Sequence, residues 1–196
     1  MKKMVLVFAL AAIALSSVSA FAIDPHYSDN IGIYVDEAAT DNCAMLPLGA
    51  ASGYLVLTKA TATDVRGWEA KFTTTANLAL TGVLFRGVGP INAATKQGEY
   101  IVGLAAPMPT VGGTAVLADI SLWVIDGNPA GLFVDEVYFS TLEDGMPAYL
   151  DADLNGISLH PVRGEIVDPI FLVNDVNCAV VGVEESTFGA VKSLFR

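Results

Sequence analysis

Apolar and polar residues alternate with a period of two in short runs, and Gly, Pro, Asn and Asp separate one run from the next. Only an extended strand sends successive side chains to opposite faces, so a chain patterned this way is committed to half-buried strands. The runs are 30–36, 53–59, 65–72, 78–85, 99–104, 114–126, 132–139, 148–151, 157–160 and 169–174. Turn material such as Gly87-Val88-Gly89-Pro90, Val111-Gly112-Gly113 and Asp126-Gly127-Asn128-Pro129 stands between them. No segment of helical period separates these strands, so a parallel α/β sheet would lack its crossover helices. The pattern predicts an all-β, antiparallel two-sheet β-sandwich of about nine strands with a short C-terminal helix.

The same alternation assigns faces. In 114–126, Val116, Ala118, Ile120, Leu122 and Val124 fall on one side and are expected in the core, while Asp119, Ser121 and Trp123 fall on the other. In 65–72, Trp68, Ala70 and Phe72 are expected inside, with Glu69 and Lys71 outside, which makes Trp68 a core anchor. Trp123 sits on the polar side. Either the tail or a loop covers it, or it serves with Asp119 and Ser121 as a binding platform.

Residues 1–22 read as a secretory signal peptide: Lys2 and Lys3, an apolar stretch, several serines and the small-residue pattern Ala20-Phe21-Ala22. The apolar run of roughly 12 residues is short of the about 20 that span a bilayer. The expected organisation is therefore a leader (1–22), a sandwich domain (23–183) and an amphipathic tail helix (184–196). The expected address is extracellular or at the cell surface, with the periplasm as the alternative. In such a compartment the two cysteines, Cys43 and Cys178, are expected to form a disulfide. Closing so long a loop stabilises a fold by roughly 5 kcal/mol in the chain-entropy account.

In the tail, Ser186 or Thr187 can cap a helix whose apolar face carries Phe188, Val191 and Phe195. So short a helix persists only when docked, on its own sandwich or on a partner.

The formal net charge of -11 and the absence of a basic stripe exclude nucleic acid as a partner. Asp151-Ala152-Asp153-Leu154-Asn155-Gly156 reproduces the first half of a calcium loop, with Asp151, Asp153 and Asn155 as the oxygen ligands. Val162 stands where the closing carboxylate belongs, and the other reading of the segment is a tight hairpin turn on Asn155-Gly156. The chain has two histidines, His26 and His160, and no Gly-x-Ser-x-Gly elbow, so a serine-nucleophile apparatus is poorly supported. A pair of carboxylates could still run a glycosidase.

The stretch Arg66-Gly67-Trp68-Glu69-Ala70-Lys71-Phe72, then 78–82, 99–105 and Gly112-Gly113-Thr114-Ala115-Val116-Leu117-Ala118-Asp119-Ile120, resembles cohesin-like modules of secreted bacterial proteins. The resemblance covers about residues 53–139 and is also met in many immunoglobulin-like domains. It implies a jelly-roll or immunoglobulin/cohesin-like sandwich that binds a protein or polysaccharide partner without catalysis. The expected function is thus a secreted, non-enzymatic interaction module. A structural subunit of an envelope or extracellular assembly is the alternative, and a small carboxylate-based glycoside hydrolase the more remote one.

Overall fold

The computed structural model describes residues 27–180. The leader (1–22), His26 and the tail (184–196) with Phe188, Val191 and Phe195 lie outside the described residues. The described residues form thirteen strands: β1 (Asn30–Tyr34), β2 (Cys43–Ala44), β3 (Gly49–Thr58), β4 (Asp64–Thr74), β5 (Leu78–Phe85), β6 (Ile91–Asn92), β7 (Glu99–Pro109), β8 (Ala115–Val124), β9 (Ala130–Asp135), β10 (Ala148–Leu150), β11 (Gly156–Ser158), β12 (His160–Pro161) and β13 (Phe171–Val173). The one helical element among them is a 3-10 turn, Val176–Val180.

Two sheets stack. One has five strands in the order β12-β1-β3-β8-β5; the other has eight, in the order β11-β10-β4-β9-β13-β2, with β7 alongside β4 and β6 alongside β7. The expected sandwich is present, but its sheets are mixed and not purely antiparallel. Strand β1 runs parallel to β12, and β13 runs parallel to β2. Alternation tells which face a residue occupies and carries no information on strand direction. Strand number also exceeds the expected nine, because two-residue pieces such as β2 and β6 are too short to leave a periodic signature.

The core lies between the sheets. Ile31, Ile33, Leu55, Leu57, Ile120 and Leu122 of the first sheet face Trp68, Ala70, Phe72, Leu132 and Phe171 of the second. Trp68, Phe85 and Tyr100 form an aromatic knot with centroid separations of 5.9 to 6.3 Å, and the buried indole N–H of Trp68 has no hydrogen-bond partner. Burial raises the Tyr100 phenol above its ordinary pKa.

One face assignment and one burial differ from expectation. The β3–β8 register shifts between Leu55 and Val56, which pair with Ala118 and Val116, so Leu117 is an extra residue on β8. That bulge exchanges the faces beyond it: Leu117 and Ala115 are buried and Val116 is half-exposed. Glu69 does face away from the core as expected, yet it is buried because the segment after β9 folds over it.

Cys43 and Cys178 form the expected disulfide, joining β2 to the 3-10 turn across 135 residues with a Cα–Cα distance of 5.0 Å. No helix of the described residues is long and apolar enough to cross a membrane.

A buried polar clasp ties the sheets together near the N-terminus. Asp29 Oδ1 accepts hydrogen bonds from Tyr149 Oη (2.6 Å) and the Thr61 backbone N–H (2.7 Å), and Thr61 Oγ1 donates to Oδ2 (2.9 Å). Asp29 itself sits in the left-handed region at φ 55°, a conformation that costs an aspartate least when its side chain is hydrogen-bonded locally.

Candidate functional site

The register of the eight-stranded sheet builds an unusual row on its outer face. Ile91 stands opposite Gly103, Gly103 opposite Gly67, Gly67 opposite Leu150, and Leu150 opposite Gly156. Residues paired in this way project from the same face, so two adjacent glycines lie between Ile91 and Leu150. They differ in cause. A Cβ on Gly67 would lie 2.7 Å from the Val102 carbonyl oxygen, so the close approach of β7 next to a bulge requires glycine there. A Cβ on Gly103 would meet nothing within 4 Å, because that position opens onto free space.

The result is a cleft of about 260 Å³ with a backbone floor and walls that include Ile101, Leu150, Leu154 and Thr141. Arg66 reaches the same cleft, and it has no ion-pair or hydrogen-bond partner among the described residues. Ile91 and Leu154 are 71% and 63% exposed. Apolar side chains this open, clustered around a concave floor, are the ordinary mark of a contact surface.

One side of the cleft is bounded by residues 136–147, which link β9 to β10. Two buried glutamates hold this link from beneath. Glu69 Oε1 accepts from the Thr141 N–H (2.7 Å) and Ser140 Oγ (3.2 Å), Glu69 Oε2 from Thr141 Oγ1 (2.9 Å), and Glu99 Oε1 from the Tyr138 N–H (3.1 Å). Between these fixed points the chain presents Tyr138 and Phe139, both outward and packed edge to face at 4.8 Å. The Lys96 ammonium lies 2.8 Å from the Tyr138 ring centroid, an arrangement that attracts through the ring quadrupole. The aromatic pair is thus pre-positioned without being buried. Replacing Glu69 with Gln keeps the shape but weakens charge-assisted hydrogen bonds, at a cost of about 1 kcal/mol. Amide exchange should accelerate at residues 138–142 in Glu69→Gln and stay unchanged in β3 and β8; uniform acceleration throughout would mean that Glu69 holds the whole fold instead of this link.

The residues singled out by alternation lie on the opposite side of the molecule. Trp123, Ser121 and Asp119 share the outer face of the five-stranded sheet, and Trp123 is 52% exposed. Asp119 is held by Arg86, whose Nε donates to Oδ2 (2.8 Å) and Nη2 to Oδ1 (2.6 Å), while Nη2 also reaches Glu37 (2.8 Å). The hydrogen bonds to Asp119 push the guanidinium pKa further up.

Asp151, Asp153 and Asn155 occupy the turn between β10 and β11. Asp151 Oδ1 accepts from the Asn155 N–H (2.8 Å) and Oδ2 from Asn155 Nδ2 (2.9 Å), and these contacts hold the Asp151 carboxyl below its ordinary range. Among the described residues no three of His, Cys, Asp and Glu gather as a metal site. His160 stacks on Tyr27 at 4.5 Å.

The cleft escaped the alternation argument because its floor has no side chains to alternate. A glycine inside an otherwise periodic strand, as at Gly67 and Gly103, was the available signal, since such glycines mark close backbone approach or a ligand. Tyr138 and Phe139 were absorbed into an expected strand over 132–139, whereas β9 ends at Asp135.

No family model matches the chain, and no curated protein does. The solved structures similar to it include the sixth cohesin of scaffoldin B from Acetivibrio cellulolyticus, determined in complex with a Cel5 dockerin, at 12% identity and a TM-score of 0.49 over 76% of this chain and 99% of that one. A non-cellulosomal cohesin from the archaeon Archaeoglobus fulgidus aligns at 13% identity and a TM-score of 0.44, covering 68% of this chain and 85% of its own. The cohesin module of a Clostridium perfringens family 33 glycoside hydrolase aligns at 13% and 0.45, covering 67% and 90%. All three of these neighbours are cohesins, the class that the resemblance names.

Proposed function

We propose that this chain is a secreted, non-catalytic interaction module whose protein partner seats on the outer face of the eight-stranded sheet. The observation that carries this reading is the Gly103–Gly67 cleft beside an aromatic pair fixed by two buried carboxylates. Protein recognition concentrates its energy in a few apolar or aromatic anchors that enter pockets, and anchors already held in place lose less entropy on binding. Tyr138, Phe139, Ile91 and Leu154 supply such anchors on this side, and the cleft accepts one from the partner. Export is supported by the leader pattern and the formed disulfide.

Gly103→Trp tests the reading, because its side chain would enter open space and fill the cleft without displacing backbone. A native partner captured by the wild-type protein from the secreting cell's surface or medium should bind this variant at least about tenfold more weakly, a difference of about 1.4 kcal/mol. The variant's thermal midpoint should be unchanged. Equal capture by both proteins would remove the cleft from the function.

A further inference from the structure

We infer that the outer face of the five-stranded sheet is a second binding site, built for a neutral pyranose chain with equatorial hydroxyls. The site is a ladder of three rows across β3, β8 and β5. Trp123 stands between Ala50 and Ala79, Ser121 between Ser52 and Gly82, and Asp119 between Tyr54 and Leu84. Successive rows on one face of a strand lie roughly 6.6 Å apart, so the ladder spans about 13 Å from the indole to the carboxylate.

Each row offers a different contact. The Trp123 indole has only methyl groups as lateral neighbours and touches no other ring among the described residues, so a ring face is free to stack. An aromatic face carries partial negative charge and attracts the polarised C–H groups of a sugar ring. One row on, the Ser52 and Ser121 hydroxyls are exposed and hydrogen-bonded to no described residue, ready to donate to and accept from sugar hydroxyls. In the last row Asp119 is clamped by Arg86, which fixes the carboxylate plane while leaving lone pairs for a vicinal pair of hydroxyls.

The small residues of the first two rows select the ligand's shape. Alanine, serine and glycine leave a flat floor, on which a sugar with only equatorial hydroxyls can lie with its C–H face down. An axial hydroxyl would press a polar group against Ala50 or Ala79 without a partner. Charge selects against acidic glycans, because the chain carries a formal -11 and the cation of this face, Arg86, is already engaged by Asp119 and Glu37. A protein anchor would instead need a pocket, and this face is a shelf.

The test titrates the full-length secreted protein with cellohexaose, an all-equatorial β-1,4 glucan, and with mannohexaose, its counterpart with axial 2-hydroxyls. Tryptophan fluorescence and calorimetry are the readouts. Expected are saturable cellohexaose binding below about 1 mM, at least about tenfold weaker mannohexaose binding, and protection of Trp123 from acrylamide quenching by cellohexaose. Trp123→Ala should weaken cellohexaose binding at least about tenfold; as an exposed side chain its removal leaves the fold intact, which a thermal midpoint verifies. Gly103→Trp should bind cellohexaose as the wild type does, so this site and the cleft fail or stand separately. The inference is overturned by no saturable binding at millimolar cellohexaose, by binding that survives Trp123→Ala, or by a Trp123 already shielded from acrylamide in the free protein, which would mean that the chain itself or a second copy covers the shelf.

Discussion

Replacing Cys43 and Cys178 together with alanine is expected to lower the unfolding free energy by roughly 4 to 5 kcal/mol. The bond closes 135 residues, almost the whole described chain, and in the chain-entropy account the cost of the open form grows with the logarithm of that loop. Domains of this size are stable by about 5 to 15 kcal/mol, so the loss is a large share of the total. Urea denaturation of the oxidised protein and of the double variant measures it directly. A difference under about 1 kcal/mol would show that the parallel edge pairs, β1 with β12 and β2 with β13, hold the ends together without the sulfur bridge.

The second large effect is expected at Asp29. Asp29→Ala strips the partner from Tyr149 Oη, from the Thr61 N–H and from the Thr61 hydroxyl in a single step, and it leaves an alanine at a left-handed φ. Buried donors left unsatisfied cost about 1 to 3 kcal/mol each before relaxation, so a loss of about 3 kcal/mol is expected for the group. Tyr149→Phe removes one of these contacts and should cost about 1 kcal/mol. The same clasp shapes the alkaline limb of stability. Burial, and after it Asp29, pushes the Tyr149 phenol up to about 12. The folded state then holds this proton more tightly than the unfolded chain, in which tyrosine titrates near 10. The contribution is therefore complete below about pH 10 and is lost as pH rises through about 12. Burial also raises Tyr34 and Tyr100, so Tyr149→Phe should flatten that limb in part. An unchanged slope between pH 10 and 12 would place Tyr149 outside the effect.

How far the sequence foretold this molecule depends on whether side chains or backbone carry the feature. Period-two patterning located β5 to the residue and placed Ile120, Leu122, Val124, Trp68, Ala70 and Phe72 in the core, because each of these facts is a statement about which side chains meet water. It misplaced Val116 because a single bulge residue, Leu117, reverses the assignments on the N-terminal side of it and leaves those from Ala118 onward in place. It read the 151–156 segment as a calcium loop or a turn, and the chain there makes a turn closed by Asp151 and Asn155. The cleft on the eight-stranded sheet is a backbone feature. Strand neighbours far apart in sequence create it, as when Gly67 of β4 is brought beside Gly103 of β7, and nothing local announces such a meeting. The same holds for Glu69 and Glu99, which look like surface charges until a distant connection folds over them.

The sulfur bridge also decides how this protein would carry mechanical load. Tension applied to the chain before Cys43 and after Cys178 crosses directly between them through the sulfur bridge, so only the residues outside that covalent ring can be drawn out while the bond is intact. The strands that carry the two faces, β3, β5 and β8 on one side and β4, β6, β7 and β10 on the other, all lie inside the ring, and a tether pulled from outside it would leave them within a closed covalent loop.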